Sequence, residues 1–200
     1  MLNRRHIRIK VMQTIYAMHQ KGSDSLEKEE KFLIASLENL MELYLIMMST
    51  LLELANKESD FIEISRKKHL ATPEERNPNL KFVNNTLLQL LANSKSLQTA
   101  LENNKINNWK TNDDAILLLL QDVKQSSVYL NYMKDKSTSF EKDKQFVIDL
   151  FSEVIAPNEK LYSYLEDYKL TWVDDIPVVN TQILKQLKQI NIIEQNLKTT

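Results

Sequence analysis

Glycine and proline are almost missing from this chain, which has one glycine and four prolines in 200 residues. The turns of β-sheet proteins depend on both residue types, because glycine adopts positive φ and proline fixes φ near its turn value. A chain this poor in both has few places for the many turns that a sheet needs. Asparagine, aspartate and serine can instead supply helix caps. The sequence therefore predicts an all-α fold.

The first predicted helix runs from about Arg4 to His19, with Asn3 as its cap and Gly22 as its stop. On the helical wheel, Lys10, Gln13, Ala17 and Gln20 cluster on one side. The apolar residues recur at helical spacing on the other side, which is predicted to pack into a bundle: Ile7, Ile9, Val11, Met12, Ile15, Tyr16 and Met18.

A long second helix is predicted between Ser23 and Thr72, where no glycine or proline interrupts the chain. Its start is indicated by Ser25, and its end by the basic run 66–69, which suits the C-terminal end of the helix dipole. Met41, Met47 and Met48 are predicted to be core residues of this helix. The prolines of 71–79 indicate a loop and a boundary.

After that loop the chain repeats itself with a period of about 63 residues. "FVNNTLLQLLANSKSLQTALENNKINNW" (82–109) aligns with "FVIDLFSEVIAPNEKLYSYLEDYKLTW" (146–172), each starting with Phe-Val and ending with Trp. Each copy predicts two short helices and a tryptophan that packs between helices. The acidic pairs 113–114 and 174–175 are interpreted as caps of two longer helices, at 115–133 and from Ile176 to about Leu197, rather than as metal ligands. The predicted segments are 1–72, 80–133 and 140–200.

Several classes of chemistry lack their usual motifs. The chain has no cysteine, its three histidines are far apart in sequence, and one glycine cannot build a phosphate-binding loop. We therefore predict no enzyme activity, no metal and no cofactor. The longest nearly apolar stretch, 43–54, is too short and too polar to span a bilayer, so no membrane association is predicted. The absence of disulfides fits the cytoplasmic location that we predict. The basic amphipathic start leaves an organelle transit peptide as an alternative.

The opening "MLNRRHIRIK" is the main functional signal. Residues 1–23 carry five basic side chains and no acid, whereas residues 24–200 carry 21 bases and 27 acids. Three of the five arginines lie here in a chain with 21 lysines. Positive charge opposes the dipole at a helix N-terminus, but arginine grips phosphate or carboxylate with two parallel hydrogen bonds. The residues alone leave four readings open: RNA binding, docking of an acidic protein, pairing with acids of the body, or simply a solvated helix end.

The stretch "LNRRHIRIKVMQTIYAMHQ" resembles the N-terminal helix of the NusB family of bacterial transcription antitermination factors. An arginine-rich opening at Arg4, Arg5 and Arg8 is followed by a match to the family's Q-x-L-Y pattern at Gln13, Ile15 and Tyr16, whereas Val11 replaces the usual small residue. The long second helix and the repeat resemble the extended NusB-type proteins of the Bacteroidetes group. The last helix departs from the family pattern around Asn180 to Gln182, and the extended relatives run on further than Thr200.

This resemblance implies a NusB-like helical bundle with a long second helix and a duplicated helical unit. It implies a non-enzymatic factor that binds boxA-type RNA of ribosomal RNA operons, together with a small-subunit ribosomal protein also called NusE, in the RNA polymerase antitermination complex. The RNA-binding residues implied are Arg4, Arg5 and Arg8, with His6 and Lys10 as weaker candidates. The alternative is a helical protein-interaction module that docks an acidic protein partner.

Overall fold

A computed structural model describes residues 4–22 and 25–191, and these ranges contain helices and no strand. The all-α prediction is confirmed. The first helix, α1, spans Arg4–Lys21, and Gly22 follows it with a φ of 60°, a conformation that suits glycine and stops the helix as predicted. The predicted cap Asn3 lies outside the described residues.

The second helix, α2, spans Leu26–Lys67 and is preceded by Ser25 at the N-cap position. The region 71–79, predicted as a loop, contains the one-turn helix α3, Pro73–Arg76. Thr72 and Glu75 form a capping box there, in which each side chain accepts from the backbone N–H of the other. Proline at the first helical position is compatible with this cap.

The first repeat unit consists of five helices, not three. The predicted single helix at 115–133 is wrong, because Ser126 leaves the helical conformation and caps a new helix by accepting from the Tyr129 N–H at 3.1 Å. In chain order the helices are α4 (Thr86–Ala92), α5 (Lys95–Asn103), α6 (Asn108–Thr111), α7 (Asp113–Gln125) and α8 (Ser127–Lys134).

The second unit has the same succession around its tryptophan. It comprises α9 (Phe140–Leu150), a π-helical turn (Phe151–Ile155), α10 (Glu159–Tyr168), a 3-10 turn (Leu170–Trp172) and α11 (Ile176–Gln189). The part of the last predicted helix beyond Asn191 lies outside the described residues.

Both tryptophans anchor their unit to α2. The Trp172 Nε1–H donates to the Asn39 carbonyl at 3.0 Å, and the Trp109 Nε1–H donates to Ser49 Oγ at 3.0 Å and the Ile46 carbonyl at 3.4 Å. Asn39 and Ile46 are seven residues apart, so they lie on nearly the same side of α2. Both indoles are buried, which confirms the prediction that they pack between helices.

The prediction that the acidic pairs after the tryptophans cap helices is confirmed in position for one of them. Asp175 is the N-cap residue of α11 and also pairs with Lys10 of α1. Asp113 is instead the first residue of α7, after the N-cap Asn112, and pairs with Lys57 of α2 at 2.5 Å. Neither α7 nor α11 has a side-chain capping hydrogen bond. The carboxylates still lie at helix N-termini, where the dipole favours negative charge, and they also tie those termini to other helices.

One hydrophobic core runs through the described molecule, and all three predicted segments contribute to it. Its axis is the middle of α2, where Leu43, Ile46 and Leu54 have no exposed surface. Burial of each such side chain contributes roughly 1.5–3 kcal/mol before chain entropy is counted. Among the described residues of α1, none belongs to this core, so α1 is an addition to the bundle.

Candidate nucleic-acid interface

The helix α1 lies against α2 through a side that the sequence did not predict. Its one buried residue is Thr14, whose hydroxyl donates to the Lys10 carbonyl at 2.9 Å. Thr14 and Ala17 are small, so the two helices can approach closely where Ala35 and Ser36 of α2 line the groove between them. The prediction that the apolar side of α1 packs into the bundle is wrong for its widest part: Ile15, Met12 and Tyr16 are 59%, 74% and 66% exposed, and Ile7 and Ile9 are also exposed, while Val11 and Met18 are half-buried.

Arg4, Arg5 and Arg8 are exposed on the side of α1 that carries Met12 and Tyr16. Within residues 4–22 and 25–191, none of the three guanidinium groups has a hydrogen bond or an ion pair. They share the apolar sector, as the helical wheel predicts, but that sector faces solvent. The outer side of α1 therefore presents three free cations beside an aromatic ring and aliphatic side chains.

Lys10, a predicted RNA contact, points the other way. Its Nζ lies 2.6 Å and 2.7 Å from the two carboxylate oxygens of Asp175, and both side chains are largely buried. This ion pair joins the middle of α1 to the start of α11, so Lys10 holds α1 on the body. Its ammonium group is engaged by Asp175 and is not available to an RNA phosphate.

His6 is half-buried and lines a cavity between α1, α2 and α11. The cavity has a volume of about 490 Å³. Its walls are mostly apolar with two glutamine amides, and no carboxylate lines it: His6, Leu40, Met41, Tyr44, Val178, Val179, Gln182 and Gln186.

Two polar groups of this cavity differ in their hydrogen bonding. The Tyr44 hydroxyl donates to Gln186 Oε1, and burial raises the pKa of the Tyr44 phenol to about 12, so it remains a donor at neutral pH. The half-buried Gln182 amide has no hydrogen-bond partner among the residues that the structure describes. Sequence reasoning missed both glutamines, although their spacing of four residues places them on one side of α11.

A second cavity of about 570 Å³ adjoins the first and extends along α2 toward α5. The two share Met41, Tyr44 and Gln186. Met47 and Met48 are buried as predicted, but Met41 is 46% exposed and lines both cavities. The prediction of a core position is therefore wrong for Met41.

Among the residues that the structure describes, no three His, Asp or Glu side chains lie close enough together to bind a metal ion. His19 and His69 are exposed. The α1 surface and the adjoining cavities offer cations, amides, an aromatic ring and apolar walls, which are groups suited to binding.

By length and composition, α2 is apolar enough to cross a membrane, with an 18-residue window of mean hydropathy 1.4 of which 33% is buried. The core helix of a soluble protein passes the same test. The absence of a membrane association therefore stays a prediction.

Comparisons with family models, curated proteins and solved structures gave no match. The resemblance to NusB proteins thus rests on the N-terminal stretch and on the repeated pattern. The structure adds the exposure of Arg4, Arg5 and Arg8 to those residues.

Proposed function

We propose that this protein is a non-enzymatic RNA-binding factor of the antitermination type. It binds boxA-like RNA of ribosomal RNA operons through the outer side of α1. Its partners are the small-subunit ribosomal protein NusE and the RNA polymerase antitermination complex, in the cytoplasm. The observation that carries the proposal is the set of three unpaired, exposed arginines beside Tyr16 on one helix surface.

The placement of these arginines disfavours a purely structural role. No acid of the body compensates them within the described residues, and positive charge at a helix N-terminus costs a few tenths of a kcal/mol or more per residue. Arginine forks bind phosphate oxygens in pairs, and an exposed tyrosine ring can stack on an unpaired base. Single-stranded RNA offers both groups.

Replacing Arg4, Arg5 and Arg8 together with alanine should abolish most binding to a single-stranded boxA RNA. Each phosphate contact releases counterions from the RNA, which makes binding weaker as salt rises. Each lost contact should therefore reduce the steepness of log K against log salt by about 0.7 on single-stranded RNA. Fluorescence anisotropy titrations at several salt concentrations, with and without the ribosomal protein, measure both quantities.

The matched control replaces Lys95, Lys110 and Lys136 with alanine, which removes the same charge from exposed positions outside α1. This variant should lose at most about threefold in RNA affinity. It weakens only the nonspecific attraction, which depends on overall charge, and leaves the three arginines in place. Equal affinity of the arginine variant and the unmodified protein would refute the proposal.

The second candidate is a helical module that docks an acidic protein through the same surface. The observation that favours it is the exposure of Met12, Ile15 and Tyr16 beside the arginines, because aromatic, methionine and arginine side chains are enriched at protein interfaces. It predicts that an acidic protein partner is retained after nuclease treatment, with no shift of a boxA RNA, and that replacing Met12 and Tyr16 with serine releases this partner.

A further inference from the structure

The two adjoining cavities form one cleft along α2. They share Met41, Tyr44 and Gln186, and their lining residues on α2 run from Leu40 to Met48. This stretch of helix is about 12 Å long, which is the length of about four residues of an extended chain. The arginines of α1 line neither cavity, so the cleft is a surface separate from the one proposed to bind RNA.

The floor of the cleft is part of the hydrophobic core. Leu40, Leu45 and Met48 are buried core residues and line it, while Met41 lies between them in sequence and is 46% exposed. Apolar groups that cover this floor are removed from water, which is the main favourable term in association. The flexible methionine side chains can adapt to the shape of such groups.

Charged side chains are missing from the cleft. Among the residues that the structure describes, no Lys, Arg, Asp or Glu lines either cavity, although these four types make up 26% of the chain. A charged ligand would lose its hydration in the cleft and gain no ion pair in return. The cleft therefore favours an uncharged ligand.

Three glutamines of α11 line one side of the cleft. Gln182, Gln186 and Gln189 are spaced four and three residues apart, which places them on one face of the helix. Gln186 accepts from the Tyr44 hydroxyl, whereas the half-buried Gln182 amide has no hydrogen-bond partner among the described residues. A partly desolvated amide without a partner carries a free-energy cost that a ligand can remove.

The spacing of these amides suits the backbone of an extended peptide. Gln182 and Gln186 are about 6 Å apart along the axis of α11, close to the roughly 6.6 Å between every second residue of an extended chain. A side-chain amide donates and accepts like a peptide group, so it can pair with a backbone N–H and C=O. In such binding, backbone hydrogen bonds supply affinity and alternate side chains supply specificity.

We propose that this cleft binds an extended, uncharged and apolar peptide segment of a partner protein. Alternate side chains of the segment pack on the floor between Leu40 and Met48, and Gln182 hydrogen-bonds to its backbone. The inference goes beyond the proposed function, because it adds a second binding surface that does not use the arginines of α1.

Capped tetrapeptides test the inference by isothermal titration calorimetry with the full chain. A peptide in which leucine alternates with serine should bind with a dissociation constant below about 1 mM. The matched peptide with aspartate in place of leucine should show no binding at that concentration, because the cleft offers its carboxylates no cation.

Methylation of the peptide's backbone nitrogens, one at a time, tests the role of Gln182. At one position the affinity should fall about fivefold, which corresponds to the loss of one hydrogen bond. In Gln182→Leu the same methylation should change the affinity by less than about twofold, because its partner is already gone. Gln89→Leu is the control on an exposed position of α4 outside the cleft, and it should keep the full sensitivity.

A charge on the floor of the cleft provides an independent test. Met41→Glu should weaken binding of the leucine peptide at least about tenfold, because the carboxylate has no cation beside it. Ile34→Glu is the matched control, since Ile34 is 48% exposed on the same helix and lies outside the cleft. Circular dichroism spectra establish that each variant is folded.

The inference is overturned if the leucine peptide does not bind, if the aspartate peptide binds equally well, or if both glutamate variants lose the same affinity. It is also wrong if no peptide binds and the chain forms a dimer that Met41→Glu dissociates, because a second copy then occupies the cleft. RNA affinity should stay within about threefold in Met41→Glu, and the triple arginine variant should still bind the peptide. The inference and the proposed function can therefore fail separately.

Discussion

Lys10 and the three arginines of α1 show how one short segment divides its cations between two tasks. Lys10 turns inward to Asp175, while Arg4, Arg5 and Arg8 turn outward. Arginine is more weakly hydrated and binds phosphate with a planar fork, so it suits the outer surface. A lysine suffices for a single buried contact with one carboxylate.

The ion pair between Lys10 and Asp175 should be worth much more than a surface pair. Asp175 is the more buried partner, with 6% of its side chain exposed against 14% for Lys10. Lys10→Ala leaves that carboxylate without its cation and should cost about 3 kcal/mol in the free energy of unfolding. Asp175→Asn should cost less, about 1–2 kcal/mol, because it leaves a neutral amide of the same shape and a lysine nearer the solvent.

Urea denaturation at neutral pH measures both costs. The control is Lys31→Ala, which breaks the exposed pair with Glu27 and should change the free energy of unfolding by less than about 0.5 kcal/mol. If Lys10→Ala behaves like Lys31→Ala, the buried pair does not hold α1 on the body.

At this scale the sequence predicts what the arginines are but not where they face. Apolar residues cover so much of α1 that the helix periodicity offers more than one side for packing. The choice falls to the small side chain of Thr14 and to the partner of Lys10, which comes from residue 175, and no local pattern contains that information.

At the scale of elements, the tryptophans fix each repeat unit to α2. Trp172 has no exposed surface and Trp109 has almost none. Replacement of either with alanine removes a large buried ring and its indole hydrogen bond, and should cost roughly 3–5 kcal/mol in the free energy of unfolding.

Thermal or urea unfolding of Trp172→Ala and Trp109→Ala measures this cost. Val173→Ala is the local control, since Val173 is exposed next to Trp172 and its loss should cost well under about 1 kcal/mol. A cost below about 1 kcal/mol for Trp172→Ala would mean that the ring does not anchor its unit.

Helix ends were predictable where their signal is unambiguous. Gly22 and Ser25 stand at the ends of long apolar patterns, and both mark real boundaries. Ser126 was missed because a serine inside an apolar pattern is compatible with a continuous helix. Its role as a cap depends on how α7 and α8 pack against the rest of the molecule, and packing is not encoded in a local pattern.

For the whole molecule, the main division is between the core bundle and α1. The core is continuous from α2 to α11, and the described residues of α1 take no part in it. Segments with few buried apolar contacts open locally at a lower free energy than the core. The surface proposed to bind RNA therefore lies on an element outside the core of the described molecule.

Hydrogen exchange should separate these two parts. Amides of α1 should exchange at least about tenfold faster than those of residues 43–54 of α2, because none of the described residues of α1 belongs to the core. Mass spectrometry of peptic fragments measures both regions in one experiment. Lys10→Ala should accelerate exchange in α1 and leave residues 43–54 unchanged, and equal protection of the two regions would contradict this division.

The cavity between α1, α2 and α11 shows the limit of prediction at this scale. It is assembled from His6, Met41 and Gln182, which are separated by most of the chain. The repeated pattern predicted two units but not how α11 packs on α2 beside α1. Only the assembled fold brings the glutamines of α11 to the arginine-bearing end of α1.

The two indole contacts mark two positions on α2 that are seven residues, or one heptad, apart. Asn39 and Ile46 are separated by two helical turns, about 10.5 Å along the axis. Inserting or deleting one residue between these marks would turn one acceptor about 100° out of phase with the other. A change of seven residues would restore the direction of both acceptors but shift them by about a further 10.5 Å along the axis, so the packing of the two units on α2 fixes the length of this segment as well as its phase.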